Sequence, residues 1–584
     1  MKTASPEFAT AIRQKYRKTG ARVQFDILTQ NIEVDSWGAT AGAPYSNLDQ
    51  LHDGILDCSR RIATCEPDRF KLDNKTALET TSQIGYVSDA LSDADGVVDI
   101  ELSVGTTEII YDGKGFTLFF DRLDDEYPVD FDVAFFVEGF DSGTYEFRDN
   151  TESYITIEDN VVVFDSVDIR IYKWSKPFHR VKMSEFVFGL IQQWGTEAKT
   201  GLISLENTAE IDVTAQTQPY GDVQAVIDNR DLAFNVLNPQ GLARWLREGM
   251  KMTTFHGVLV NGEQEFVKTG QYYFKEWQDA GNNSVRLTGV DTLGYFGLRP
   301  VRMQYEPSVA TPQIALMNLK DDMEIELLDI DDVPNTGSYL VQPYEELGID
   351  ELRSAAEYLC KVLLIDENGL ITFEDLPTEP VSDIPRDLSR VDPKITQIEQ
   401  IAAYDIFTYD FNIAADSELL FEQEVNQTGT VSYQYEIGYD YTNPQITVTG
   451  GGFMQLGVSY GVINFMVTGT GTITIKIEAN RISYPKQRWR FENASVTDPR
   501  APYLEIDNKH IMTYAKAEEV ASWVMSNFNK WYNYECQWIG DPRLEVGDMV
   551  SVGNRFDNDR PAIIQRRVLR FTGGLSSELE LRGS

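Results

Sequence analysis

Apolar and polar residues alternate with a period of two along most of this chain. In residues 471–479, Ile473, Ile475 and Ile477 alternate with Thr472, Thr474, Lys476 and Glu478. In 209–215, Ile211, Val213 and Ala215 alternate with Asp212 and Thr214. In 166–174, Val167, Ile169 and Ile171 share one face. Successive strand side chains point to opposite sides, so each pattern predicts a strand with one buried and one wet face. Turn dipeptides recur between such runs: Asp95-Gly96, Asp112-Gly113, Asn261-Gly262 and Asn368-Gly369. Many short strands joined in this way predict sandwiches or barrels, mostly antiparallel.

The helical period appears in few places. Residues 350–362 put Leu352, Ala356, Leu359 and Val362 on one stripe, with Asp350 placed to cap the N-terminus. A hairpin-like stretch, VLLIDENGLITFED, follows. A longer helix is expected over 514–532, with Val520, Val524, Phe528 and Trp531 facing a core and 508–513 as the turn before it. Two blocks read as small β-domains grafted between strands of a parent: an acidic one at 85–165, and one rich in Gly, Thr and Tyr at 416–500. No short repeat is visible, which argues against a solenoid or propeller.

The length, 584 residues, suggests three to five domains. Aromatic residues make up 11%, enough to fill large cores and to rule out wholesale disorder. Asp and Glu number 92 against 51 Lys and Arg, a net charge of −41, which repels phosphate backbones. General nucleic-acid binding is therefore not expected. The first 25 residues run against this trend, with six basic residues and one acid. They read as a solvated arm, or as one that docks on an acidic neighbour or on the chain's own acidic surface. No apolar run of transmembrane length and no signal-peptide core is present.

The chemistry available is thin. Cys58, Cys65, Cys360 and Cys536 are too sparse for a disulfide scaffold, and the Cys58/Cys65 pair lacks a second pair to complete a zinc site. They read as buried apolar groups in a chain folded in a reducing cytoplasm. His52, His179, His256 and His510 are the only histidines. Gly457-Val458-Ser459-Tyr460-Gly461 matches a nucleophile elbow, but its flanks read as strands on both sides, where the elbow needs a helix after the turn. Cys536 has no histidine after it, and Cys360 has only His510. Asp89, Asp93, Asp95, Asp99 and Glu101 suggest calcium, yet setting Gly96 at the loop glycine of an EF-hand puts Leu91 and Leu102 where oxygen ligands must stand. No catalytic, cofactor or metal residue is assigned, no cofactor is expected, and no enzyme activity is expected.

Several separated segments resemble the hub proteins at the tip of bacteriophage tails, including the hub portion of tail-associated lysins. One is 209–277 with 285–297: Asp228-Asn229, Phe234-Asn235, Asn238-Pro239, a step from Leu246 to Gly249 into a strand, Gly270, Tyr272, Tyr273 and Trp277, then Asp291 and Leu293. A second runs from Trp538 to Asp548 and on to the Gly573-Gly574-Leu575 turn. A third is 59–74 with 85–93 and 126–139, similar to the front of hub-type minor tail proteins; the 85–165 block resembles a carbohydrate-binding jelly roll.

The resemblance implies a mainly β, multidomain fold with two tube-like β-barrel hub domains, an inserted β-sandwich and a small α/β domain. The expected division is an N-terminal arm and first part of barrel I at 1–84, the insert at 85–165, the rest of barrel I at 166–300, the α/β domain at 301–394, and barrel II at 395–415 and 500–584 around an insertion at 416–499. It further implies a homotrimer that imitates a six-fold ring, partnered by the distal tail protein and tail tube ring, and by a fibre, spike or tape measure protein. Such a protein is part of the virion tail tip, assembled in host cytoplasm. A sequence ending at Ser584 leaves any lytic or fibre activity to a separate chain. Two other functions compete: a receptor-binding protein gripping cell-wall glycan through Tyr86, Tyr111, Tyr145 or Trp174, and a peptidoglycan-degrading lysin.

Overall fold

The computed structural model describes residues 1–26, 32, 34–39, 86–111, 115–121, 125–157, 163–195, 201–230, 232–235, 237–238, 242–244, 246–302, 308–341, 345–438, 440–459, 461–555 and 559–583. Its spine is one long sheet. In order across the sheet the strands are Ile191–Gly195, Thr19–Asp26, Lys251–Val260, Glu263–Gly281, Ser284–Val290, Asp222–Asp228, Leu202–Glu210, Arg560–Phe571, Leu575–Gly583, Tyr532–Trp538 and Lys394–Gln397. Met549–Val552 joins through Arg560–Phe571, and Ser382–Ile384 joins through Met549–Val552. Two separate cores lie against its halves, one holding Val23, Ala225, Phe274 and Leu287, the other Cys536, Trp538, Val550 and Ile564. The strand expected at 209–215 breaks off: Ile211 and Val213 are buried as expected, but so is Thr214, on the face expected to be wet. Leu202–Glu210 ends there, because the Asp212 carboxylate accepts the amides of Thr214 (2.8 Å), Gln216 (3.1 Å) and Thr217 (2.9 Å) and ties the chain into a turn.

A β-sandwich leaves the spine after Asp26 and returns at Ile191, and these two residues pair directly with each other. Its sheets are Val34–Ala39, Val97–Ile110, Phe164–Trp174, Pro128–Val137, Phe140–Phe147 and, opposite, Tyr86–Leu91, Arg180–Phe188, Phe116–Phe120, Tyr154–Ile157. The sandwich thus takes in strands on both sides of 85–165. Val167, Ile169 and Ile171 are buried in its core, as their alternation predicts.

The five α-helices among the described residues are α1 Pro6–Ala11, α2 Thr292–Phe296, α3 Pro312–Met323, α4 Gly348–Leu359 and α5 Tyr514–Phe528. α4 begins before the expected cap. Leu347 holds the cap position without a side-chain bond, and Asp350 lies in the first turn, where a negative charge favours the helix dipole. It ends when Cys360 turns left-handed (φ 58°). α5 ends at Phe528, and Tyr532 opens the next strand instead of closing the helix. α3, α4 and α5 share a core with Tyr404 and Ile406. These last two come from Ala403–Tyr409, which pairs with Lys486–Glu492 and Tyr503–Ile506 and not with the spine.

Asn412–Glu436 and Val462–Ser483 form a ribbon paired from Asn412↔Ser483 to Glu436↔Val462. It is bent back on itself. Ile437 N–H donates to Gly461 O (2.8 Å), and Ile482 N–H donates to Asp440 O (2.7 Å), so three peptide steps bridge its two ends. Gly429 (φ 95°) and Gly471 (φ 103°) lie at the bend, in conformations that a Cβ would strain. Ile463, Phe465 and Val467 of one half then share a core with Ile473, Ile475 and Ile477 of the other.

Candidate functional site

Each half of the spine contains five strands with the same connectivity. In chain order, the first module has Leu202–Glu210, Asp222–Asp228, Lys251–Val260, Glu263–Gly281 and Ser284–Val290. The second has Lys394–Gln397, Tyr532–Trp538, Met549–Val552, Arg560–Phe571 and Leu575–Gly583. In both, the third, fourth and fifth strands form a meander, the second strand pairs with the fifth, and the first pairs with the second. Register agrees as well. Glu206 faces Gln224 as Lys394 faces Glu535. Val223 faces Gly289 as Tyr534 faces Leu581. Lys251 faces Tyr273 as Met549 faces Ile563. The fourth–fifth pairing slips at a matched point, between Phe274 and Glu276 and between Ile564 and Arg566.

The lead-in to the third strand is repeated in detail. Gly249 N–H donates to Phe274 O (2.8 Å) and Phe274 N–H to Met250 O (2.7 Å); Gly547 N–H donates to Ile564 O (2.8 Å) and Ile564 N–H to Asp548 O (2.9 Å). Both glycines have positive φ, 91° and 86°. Leu246 and Leu544, three residues earlier, are both buried. The sequence carries this signal as Leu-x-x-Gly before a strand. Only its first occurrence stands out in the sequence as that motif, and the second lies inside the segment from Trp538 to Asp548.

The modules join where Leu202–Glu210 pairs with Arg560–Phe571, through Leu205↔Phe571, Asn207↔Leu569 and Glu210↔Arg566. One face of the joint carries charges in rows: Arg566 meets Glu580 (3.0 Å) and Glu210 (3.4 Å), and Arg570 meets Glu206 (2.7 Å) and Glu578 (2.6 Å). These pairs are partly exposed, so each adds little stability alone; together they form a wet, charged band across the three strands at the joint. The other face is buried and polar. Asn207 Nδ2 donates to Tyr272 OH (3.2 Å), Arg567 Nη2 donates to Thr269 O (3.3 Å), and His256 Nδ1 bonds Thr269 Oγ1 (3.0 Å). Burial, with Arg567 and Lys2 adding to it, pushes His256 down to about 3. Asp291 nearby caps α2 at Gly294 N–H (2.8 Å), and burial pushes its carboxyl up to about 7.

The basic N-terminal arm lies across this joint. The Met1 ammonium donates to Asp548 (2.8 Å) in the second module; Lys2 donates to Lys268 O (2.7 Å), and Ser5 Oγ to Glu265 (2.6 Å), in the first. Arg13 pairs with Asp383 (2.6 Å), and Arg17 donates to Gly540 O (2.9 Å). Phe8 and Ile12 are fully buried with Val258 and Val267 of one module and Leu569 and Leu575 of the other. The arm therefore docks on the chain's own acidic surface, one of the two uses its charge allows.

Apart from His256, the described residues weighed for chemistry lie away from this joint. Gly452–Ser459 and Val462–Ser483 are both strands, so the segment around Ser459 has no strand–turn–helix elbow. Burial pushes the Cys360 and Cys536 thiols up to about 12. His510 stacks on Tyr339 (4.2 Å), with Nδ1 on Leu340 O (2.7 Å) and Nε2 3.3 Å from Glu351. Burial works against the Glu351 charge, but His510 and Lys509 hold that carboxyl down to about 2. His179 Nδ1 bonds Glu126 (2.9 Å) inside the sandwich. His52, Cys58 and Cys65 lie outside the described residues. Asp93 spends its carboxylate on the amides of Asp95 (2.9 Å) and Val97 (2.8 Å), and Asp99 pairs with Arg170 (3.2 Å). Among the described residues no three His, Cys, Asp or Glu converge to hold a metal. Of the aromatics considered for glycan, Tyr86 and Trp174 are sandwich core, Tyr145 leans on that core, and Tyr111 is 73% exposed.

No family model matches this sequence, and no curated protein matches it. Solved structures do. The 43 kDa tail protein of prophage MuSo2 from Shewanella oneidensis has a TM-score of 0.38 and 12% identity, covering 67% of this chain and 95% of that one. A tail protein from Neisseria meningitidis MC58 has a TM-score of 0.37 and 11% identity, covering 66% and 93%. A CBM32 domain bound to GalNAc has a TM-score of 0.20 and 13% identity, covering 28% of this chain and 99% of its own. The first two are tail proteins, the first of them from a prophage; the present chain is itself mainly β and multidomain.

Proposed function

We propose that this chain is a structural tail hub of a phage or phage-tail-like particle. Three copies join a hexameric tail tube or distal ring to the tail tip or fibre and line the DNA channel. The observation that carries the reading is the pair of modules with one connectivity and one register on a shared sheet. Three such chains around an axis present six alike modules, which is what a trimer needs in order to meet a six-fold ring. Two of the three hub-like segments, 209–277 with 285–297 and Trp538 to the Gly573-Gly574-Leu575 turn, fall on these modules, and the Leu246–Gly249 and Leu544–Gly547 steps are their matched lead-ins; of the third, 86–93 and 126–139 lie in the sandwich and 59–74 lies outside the described residues. A net charge of −41 suits a wall past which DNA slides, since phosphates do not adhere to it.

On this reading the sandwich and the bent ribbon are outward decorations of the hub, and the layer of α3, α4 and α5 braces it. The chain is a virion component of the tail tip, and its task is assembly rather than catalysis. Light scattering of the purified chain, with imaging of intact particles, tests the proposal. Three copies at the distal end of the tail are expected. A monomer absent from particles refutes it.

A further inference from the structure

The joint inside the chain has an unused counterpart at each end. Within the chain, the outer edge of the first module's first strand, Leu202–Glu210, pairs with the second module's fourth strand over 566–571. The matched strand of the second module is Lys394–Gln397, which ends the sheet. The matched stretch of the first module is 276–281, which among the described residues pairs only with Ser284–Val290.

We propose that copies of this chain join edge to edge, with Lys394–Gln397 of one copy adding to 276–281 of the next in the register that already joins the two modules within the chain. This rests on the ring reading above and identifies the surfaces that close the ring. Carrying the in-chain pairs across by the matched registers sets Ile395 opposite Asp279, Thr396 opposite Gln278 and Gln397 opposite Trp277.

The backbone is oriented for it. Alternate residues of a strand turn their N–H and C=O to opposite neighbours. Ile211 N–H donates to Gln565 O (2.8 Å), so Asn207, in phase with it, turns toward the in-chain joint. Ile398 N–H donates to Trp531 O (2.8 Å), so Thr396 turns inward, and Ile395, matched to Asn207, and Gln397 turn to the open edge. Side chains agree: Asn207 is 0% exposed in the formed joint, whereas the apolar Ile395 is 54% exposed in the open one. The entering strand carries Lys394 and no acid, and the receiving stretch carries Glu276 and Asp279 and no cation. Each copy has one edge of each kind, so the contact is head-to-tail and closes into a ring when it repeats the in-chain geometry. A strand edge left open invites pairing, and the partner for which this edge has a ready register is a second copy.

The test uses the full chain carrying Ile395→Cys and Asp279→Cys together. Opposed residues of an antiparallel pair lie within disulfide reach. Mild oxidation should give covalent trimers on non-reducing gels, and neither single variant should exceed the wild type. A second variant, Gln397→Pro, removes an outward amide that its own sheet does not use. It should weaken association about tenfold per joint, one hydrogen bond's worth, with an unchanged circular-dichroism melt. Trimers that neither cross-link here nor respond to the proline overturn the joint and leave the three-copy reading standing. A chain that stays monomeric at every concentration, with or without the tail tube ring, overturns both.

Discussion

Phe8 is the hinge-pin of the N-terminal arm, and replacing it with alanine isolates what the arm does. Its ring is fully buried among Ile12, Val258, Val267, Leu569 and Leu575, so it touches both modules. A buried phenylalanine removes roughly 150–250 Å² from water, and at about 25 cal/mol per Å² the side chain is worth on the order of 4–6 kcal/mol. Mutational experience with Phe→Ala in cores gives about 3–5 kcal/mol. The loss has a ceiling, because the arm undocks once its docking free energy is exhausted and the rest of the fold persists. A chain of several domains does not unfold in one step, so a single melting temperature is the wrong readout. Hydrogen exchange is the right one. Amides in Lys251–Val260 and around the 566–571 joint should exchange about 10²- to 10³-fold faster, while the sandwich strands Val97–Ile110 and Phe164–Trp174 keep their rates. Acceleration shared equally by the sandwich, or none at the joint, refutes the view that the arm clasps the two modules together.

Other outcomes follow from the same geometry. Gly249→Ala should cost about 2–4 kcal/mol, because an L-residue at positive φ is strained and its Cβ would fall 2.2 Å from Tyr295 OH; Gly547→Ala, whose nearest contact is Leu364 at 3.1 Å, should cost about 1–3 kcal/mol, read from hydrogen exchange in Lys251–Val260 and in Met549–Val552 respectively. His256 has a folded pKa of about 3 against an ordinary 6.5, so the unfolded chain takes up the proton first: its stability contribution is whole above about pH 6.5 and is lost as pH falls toward 3. Between pH 6.5 and 5 that is a loss of about 2 kcal/mol, and His256→Gln should flatten the pH profile of hydrogen-exchange protection in Lys251–Val260 over this window by close to one proton. Cys536, 2% exposed and with its thiol pushed up to about 12, should ignore a thiol reagent in the folded chain and react once it is denatured; prompt labelling at Cys536 itself, located by peptide mapping, contradicts its place in the core.

Strand periodicity was legible wherever one face was buried and the other wet, as at Val167, Ile169 and Ile171. It misled at 209–215, where a single carboxylate, Asp212, competes with the ladder for the backbone amides and Thr214 is buried beside Val213 and Ala215. The apolar pattern shows which side chains seek burial; it does not show which amides a neighbouring carboxylate will take from the ladder. The ends of α4 and α5 were out of reach for a related reason: the apolar stripe continues into the next element, while Cys360 and the chain beyond Phe528 change backbone conformation under tertiary demand. The docking of the arm was half legible. Its charge showed that it could meet the acidic surface, but the anchor is apolar, Phe8 and Ile12, and their partners are strands more than two hundred residues away.

The doubling of the modules was the least legible feature, and the reason lies in how the two cores divide their volume. At one matched layer the first module has Val223, Met252 and Gly289, and the second has Tyr534, Val550 and Leu581. A Cβ on Gly289 would lie 3.3 Å from the Met252 sulfur, so the third strand's long side chain fills the space that the fifth strand leaves empty. In the second module the fifth strand supplies the bulk through Leu581, and the third strand is cut back to Val550. The second strand adds bulk too, with Tyr534 where the first module has Val223, so the layers differ in volume as well as in its placement, and what the two copies keep inside is the pattern of buried positions and the register. What cannot be exchanged is backbone. The glycine that opens each third strand needs its positive φ and its N–H on the fourth strand, and it is there, at Gly249 and Gly547, that the two modules still match in sequence.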